Sequence, residues 1–202
     1  RYNRDANVDP SEVWQYEAGV EYDYKNLVKV NLTGFILETS KEVNETILGS
    51  GVFVNSGKTQ RHGLELGIRA QPVRRLNFNG SFAYIRTEIK KNVDEALVGK
   101  ELNNIPRTVT NLMLDYTLES GLGARVNYRN VGKYATGLEN FFYYNGYSRT
   151  DATLFFNFAG TSSKRGQLFV EFNNIFNENY ATYVFDNGGP NDGQSYSASA
   201  LR

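Results

Sequence analysis

VWQYEAGVEYDYKNLVKVNLTGFIL, residues 13–37, reads as two strands joined by a short turn. In the first, Trp14, Tyr16, Ala18, Val20, Tyr22 and Tyr24 fall on one face, and Gln15, Glu17, Glu21 and Asp23 on the other. After the turn DYKN at 23–26, Val28, Val30, Leu32 and Ile36 stand opposite Lys29, Asn31 and Thr33. A side-chain period of two belongs to a strand whose faces meet different surroundings. Nine windows carry this alternation: these two, then 63–70, 75–86, 107–118, 121–129, 149–159, 166–173 and 195–202. The chain is therefore expected to be all-β, as its 14% aromatic content and only 4 prolines also suggest.

Charge and composition narrow the function. Lys+Arg and Asp+Glu both number 22, and no basic run exceeds two residues, which argues against a nucleic-acid partner. The absence of cysteine removes disulfides and thiolate chemistry, and the single histidine, His62, leaves no base and nucleophile to pair as a catalytic centre. No catalytic residue, metal site or cofactor is expected. Apolar runs are too short for a membrane-spanning helix, so a membrane protein of this sequence has to be a barrel.

Alternation alone fits a soluble sandwich as well as a transmembrane barrel. The charges favour the barrel: Glu17, Glu21, Asp23, Lys29, Glu65, Arg69, Asp115, Arg125, Arg129, Asp151 and Glu171 all lie on polar faces, and only Arg86 sits on an apolar side, near a window end. The links decide more sharply. Those after the first, third, fifth and seventh windows are tight (DYKN, QPVR at 71–74, ESG at 119–121, GTSSKRG at 160–166). The others run on the order of twenty residues, near the length at which unstructured loops become uncommon in compact domains. Strict short–long alternation is the pattern of an antiparallel up-and-down transmembrane β-barrel with short periplasmic turns and long extracellular loops. Because single-chain bacterial barrels are usually even-stranded, about nine strands suggest that a strand is missing before Arg1.

Four stretches resemble the C-terminal part of the barrel of TonB-dependent outer-membrane receptors: VDPSEVWQYEAGVEY (8–22), VNSGKTQRHGLELGI (54–68), GKELNNIPRTVTNL (99–112) and VEFNNIFNENYAT (170–182). The third has Arg107 where the family often has histidine, and the fourth places Asn174-Ile175-Phe176-Asn177 and Tyr180 at a signature of the Asn-Leu-Phe, Asp-x-x-Tyr kind. The resemblance implies that residues 1–202 are a piece of a larger, roughly 22-stranded barrel whose plug and TonB box lie outside it. Ending at SASALR without the usual terminal aromatic, the chain reads as stopping a few residues early. It further implies the outer membrane of a Gram-negative bacterium, active uptake of a scarce substrate such as a ferric siderophore or cobalamin, contact with outer-membrane lipid, and a TonB–ExbB–ExbD complex acting through the plug. Two alternatives stay open: a self-contained small barrel acting as an adhesin or structural protein, and a soluble carbohydrate-binding sandwich.

Candidate binding residues follow from this frame. Phe141, Phe142, Tyr143 and Tyr144 form an aromatic run in a presumed extracellular loop, suited to stacking on a ligand or to loop packing. Glu65, Arg69, Arg125, Arg129 and Glu171 are expected to face the lumen, where they either meet a plug or ligand or pair across strands. His62 is expected at the lumen or rim as an ordinary polar residue. Gly51 and Gly57 are spaced wrongly for a phosphate loop, and Asp186 and Asp192 miss calcium-loop spacing. The asparagines of 173–179 are expected where an ascending strand leaves hydrocarbon, with Tyr180 at the interface or folded back on the barrel.

Overall fold

The computed structural model describes residues 8–45, 53–159, 165–186 and 194–197. Ten strands of the first 172 residues are β1 (Glu12–Tyr24), β2 (Val28–Glu45), β3 (Phe53–Val73), β4 (Leu76–Lys91), β5 (Thr108–Thr117), β6 (Leu122–Val131), β7 (Tyr134–Ala135), β8 (Tyr143–Tyr144), β9 (Tyr147–Ala159) and β10 (Arg165–Phe172). Then come β11 (Tyr183–Asp186) and β12 (Gln194–Ser197). Eight of them form one curved wall in the order β1-β2-β3-β4-β5-β6-β9-β10, every neighbouring pair antiparallel. Chain order equals spatial order except that β7 and β8 pair with each other in the link between β6 and β9. The wall is open at β1 and β10 among the described residues.

The turns at one end are tight because their residues accept a left-handed backbone. Lys25 and Asn26 have φ of 52° and 55°, Arg75 of 70°, and Gly121 of 91°. Gly121 has a further reason to be glycine, since a Cβ there would collide with the carbonyl oxygen of Asn157. The opposite end differs from the sequence expectation in one respect. The second link, expected to be loop over much of 38–62, is mostly paired backbone, because β2 continues to Glu45 and β3 begins at Phe53. Alternation fades there because both faces of the ladder have left hydrocarbon, while backbone pairing needs no apolar side chain. The ladder bends at a bulge around Lys41, whose φ is 55°.

The ninth window also differs. Of residues 195–202, those described belong to β12, which pairs with β11 in a separate two-stranded ladder. The wall thus has eight described strands where nine were expected.

The two faces of the wall are chemically opposite. Trp14, Val20 and Leu168 are 63%, 66% and 66% exposed on the apolar face, and no second layer of the described chain covers them. In water each such side chain forfeits about 1.5–3 kcal/mol of burial; lipid removes that cost. Trp14 and Tyr24 mark the ends of this face along β1. Ten residues at about 3.3 Å each, tilted about 40°, span roughly 25 Å, the height of the apolar band of an outer-membrane barrel. Most of the buried apolar side chains, among them Ile89, Leu97, Val131, Tyr134, Ala135 and Ala181, gather instead at the end with the long links, Phe155 near the tight turns being an exception.

Candidate functional site

Register assembles the polar face. Across the wall, Asn31 lies beside Gly67, Gly67 beside Ser81, Ser81 beside Asn111, Asn111 beside Arg129, and Arg129 beside Arg149. One step toward the tight turns runs a second row: Lys29, Arg69, Asn79, Met113, Asn127 and Asp151. All of these residues except Lys29 line a concave trough of about 620 Å³ that also takes in Glu171. The structure therefore brings Arg69, Arg129 and Glu171 together. Glu65 lies on the same face beside Thr33 and Ala83, outside the trough.

Arg125 is spoken for. Its Nε and Nη2 both donate to Oδ2 of Asp115, at 3.0 and 2.9 Å, and its guanidinium lies 5.9 Å from the Phe155 ring centre. Arg149 pairs with Asp151 at 2.8 Å and donates to the Tyr180 hydroxyl at 3.4 Å. Arg69 and Arg129, by contrast, make no ion pair among the described residues. Two unanswered cations on a polar concave surface suit an anionic group.

Above the trough the long links fold into a platform. Asn140, with φ of 57°, is its clamp: Oδ1 accepts from the Glu101 N–H at 2.7 Å, and Nδ2 donates to the Glu101 carbonyl at 2.9 Å and to that of Gly137 at 3.0 Å. Arg107 joins the same segment through a 2.8 Å ion pair with Glu101, and that hydrogen-bonded carboxylate holds its pKa above the usual arginine value. Backbone bonds from Asn104 to Ala135 and from Arg107 to Lys133 complete the link.

The aromatic run is divided between packing and exposure. Tyr143 lies in the β7–β8 ladder with Lys133 and Arg107 over its ring at 4.4 and 5.4 Å. Tyr144 packs on Tyr134, centroids 5.5 Å apart, and its hydroxyl accepts from the Ala181 N–H at 3.0 Å. Burial pushes the Tyr134 phenol pKa up. The Phe142 carbonyl accepts from both N–H and Oγ1 of Thr136. Phe141 is the exposed member, and Phe142 is half-buried.

The asparagine-rich stretch is a fastening. Asn174 donates its N–H to Asp151 Oδ1 at 2.8 Å, and its side-chain amide both accepts from and donates to the backbone of Glu178 at 3.0 Å. Asn174 and Asn177 have φ of 52° and 51°, conformations that asparagine tolerates. Tyr180 folds back and stacks on Tyr147 at 4.4 Å. Asn140, Glu101 and Tyr147 escape sequence reasoning; an asparagine three residues after Gly137 and just before the aromatic run is the one available signal for a left-handed clamp.

The remaining candidates are placed simply. His62 stands on the apolar face at its rim, opposite Arg86. Gly57 is in β3, paired with Glu42, and Asp186 ends β11, while Gly51 and Asp192 lie outside the described residues.

Comparison with known proteins agrees with this geometry. The model of the family described as "TonB dependent receptor-like, beta-barrel" matches residues 1–175. A probable TonB-dependent siderophore receptor, PiuA, of Acinetobacter baumannii is 24% identical over 192 residues, which cover 88% of this chain and 25% of that protein. The ferrichrome outer membrane transporter/phage receptor of Escherichia coli K12 is 26% identical, with coverage of 92% and 25%. The chain thus spans about a quarter of the length of the curated relatives it matches. Among solved structures, the ferric preacinetobactin receptor BauA of A. baumannii superposes with a TM-score of 0.71 at 18% identity, over 83% of this chain and 26% of that one. With a family match that runs through all eight strands of the wall, this chain belongs to the TonB-dependent receptor-like β-barrel family of the outer membrane.

Proposed function

We propose that this chain supplies wall, extracellular platform and part of the binding vestibule of a receptor that takes up a scarce metal chelate. A ferric siderophore or a similar anionic chelate fits better than cobalamin. The carrying observation is the pair of unanswered arginines, Arg69 and Arg129, on the lumenal trough below the platform. An anionic chelate complex descending from the loops meets Phe141 first and these guanidinium groups next. Uptake needs energy, which in this reading comes from TonB–ExbB–ExbD acting on a plug outside this chain. Relatives named for siderophore, ferrichrome and metal-pseudopaline reception support the class of substrate. The chain is a transport component, not an enzyme. An uncovered apolar face disfavours the soluble sandwich, and the length of the relatives disfavours a small self-contained barrel.

The test is radiolabelled iron-chelate uptake by cells carrying the full receptor. Arg69→Gln combined with Arg129→Gln is expected to lower uptake by about tenfold or more, the loss of one to two charge-assisted contacts, at unchanged surface abundance. Unchanged uptake of every chelate that the wild type transports would remove the arginines from the substrate path.

A further inference from the structure

The trough's chemistry says more about its occupant than that it is anionic. Two guanidinium groups stand directly opposite each other at one end, Arg129 on β6 and Arg149 on β9. Like charges so placed repel unless an anion comes between them. Asp151 pairs with Arg149 at 2.8 Å and leaves Arg129 unanswered. At the other end Arg69 stands on β3, three strands from Arg129 and one step nearer the tight turns. Three strand spacings put the two ends about 14 Å apart. Against these three arginines the trough sets two acids, Asp151 and, on the edge strand β10, Glu171.

Between the two ends the wall is made of amides. Asn79, Asn111 and Asn127 stand on β4, β5 and β6. Asn111 donates to Ser81 Oγ at a long 3.3 Å, and the side chains of Asn79 and Asn127 have no hydrogen bond among the described residues. No described aromatic ring of the polar face reaches the trough. Phe155 lies buried over Gly123, and Phe35 stands two rows above Asn31, beside Gly63. Tyr128 borders the trough, but its hydroxyl is bonded to Ser148 on the opposite face. The arginines and these three asparagines all stand on strands whose two neighbours are in place, so their arrangement does not depend on what adjoins the open edges at β1 and β10.

We infer that the trough selects metal chelates of the polycarboxylate kind, elongated ligands with carboxylate groups toward both ends and hydroxyl or amide groups between them. One terminal carboxylate bridges Arg129 and Arg149 and relieves their repulsion, and the other meets Arg69. Hydroxyl or amide groups in the middle take up the hydrogen bonds of Asn79, Asn111 and Asn127, which a ligand without such groups would strip of water and leave unpaired. A ferric tricatecholate presents ring edges where these amides stand. Ferrichrome, an uncharged chelate, has no carboxylate for the arginines. Each therefore leaves one part of the site without a partner, and a site built for polar contacts discriminates strongly against a ligand that lacks them. The inference rests on the reading of the trough as part of the substrate path and adds which chelates travel it.

The test uses the full receptor in detergent, titrated calorimetrically with three probes: the ferric complex of a dicitryl diamide, a ferric tricatecholate and ferrichrome. The wild type is expected to bind the dicitryl complex at least about tenfold more tightly than either of the others, the worth of one charge-assisted contact. Asn111→Leu combined with Asn127→Leu should weaken that complex about tenfold and leave the other two where they were, whereas a damaged wall would weaken all three. Asn111→Asp, which keeps the shape and adds a negative charge, should weaken the dicitryl complex by about tenfold as well. A wild type that does not prefer the dicitryl complex, or undiminished binding of it in both asparagine variants, would overturn the inference. Uptake by Arg69→Gln combined with Arg129→Gln tells the two levels apart. If that variant loses uptake of a tricatecholate that the wild type prefers, the substrate path stands and the choice of chelate falls; if it loses no uptake at all, both fall.

Discussion

Asn140 shows how much a single side chain holds at the loop end. Its amide meets the backbone of Glu101, Gly137 and Leu138 from a left-handed conformation that few residues adopt. Asn140→Ala removes all of these and leaves the backbone strained, so the platform should lose about 1–3 kcal/mol of local stability. Hydrogen exchange at Glu101 and across 132–146 should rise, with exchange in the wall unchanged. Arg125 is a contrasting case. It was readable in sequence as a lumenal charge, but its capture by Asp115 depends on cross-strand register, and the charges of its face offered several partners. Sequence can assign a residue to a face; it cannot say which neighbour answers its charge.

Strands express a different economy, since pairing and lipid contact are separate requirements. Gly63 illustrates the first. A Cβ there would run into the Tyr84 carbonyl oxygen across the β3–β4 ladder, so Gly63→Val should disturb that pairing and lower the yield of heat-resistant folded barrel on gels. Val20 illustrates the second. Val20→Arg places a charge near the middle of the lipid face and should cost about 2–4 kcal/mol of barrel stability, whereas Asn127→Lys on the trough face should be close to neutral in a denaturant titration. The windows at 13–24 and 107–118 were legible as strands because lipid and lumen impose alternation on them. The ends of β2 and β3 were not, because beyond the membrane nothing imposes a pattern on side chains while the backbone goes on pairing. For the same reason β11 and β12 could not be told from a further wall strand: a four-residue ladder offers too few alternations to show what it pairs with.

At the scale of the whole wall, one sheet with a wet concave face and an uncovered apolar face makes sense only across a lipid boundary, and family membership gives that boundary as the outer membrane. Fold and placement were legible because they follow from short–long link alternation and from sorting of charge by face. The site was legible only as a face, since Arg69 and Arg129 are distinguished by what does not pair with them. The chain's lack of cysteine makes the central claim directly measurable. In the full receptor, with any cysteines elsewhere removed, single cysteines would be placed at each residue from 13 to 24 and spin-labelled in the membrane. Labels at Trp14, Tyr16, Ala18, Val20 and Tyr22 should relax with lipid-dissolved oxygen, and those at Gln15, Glu17, Gly19, Glu21 and Asp23 with water-soluble nickel, alternating at every step. Equal access of the water-soluble reagent to both sets would contradict the barrel wall.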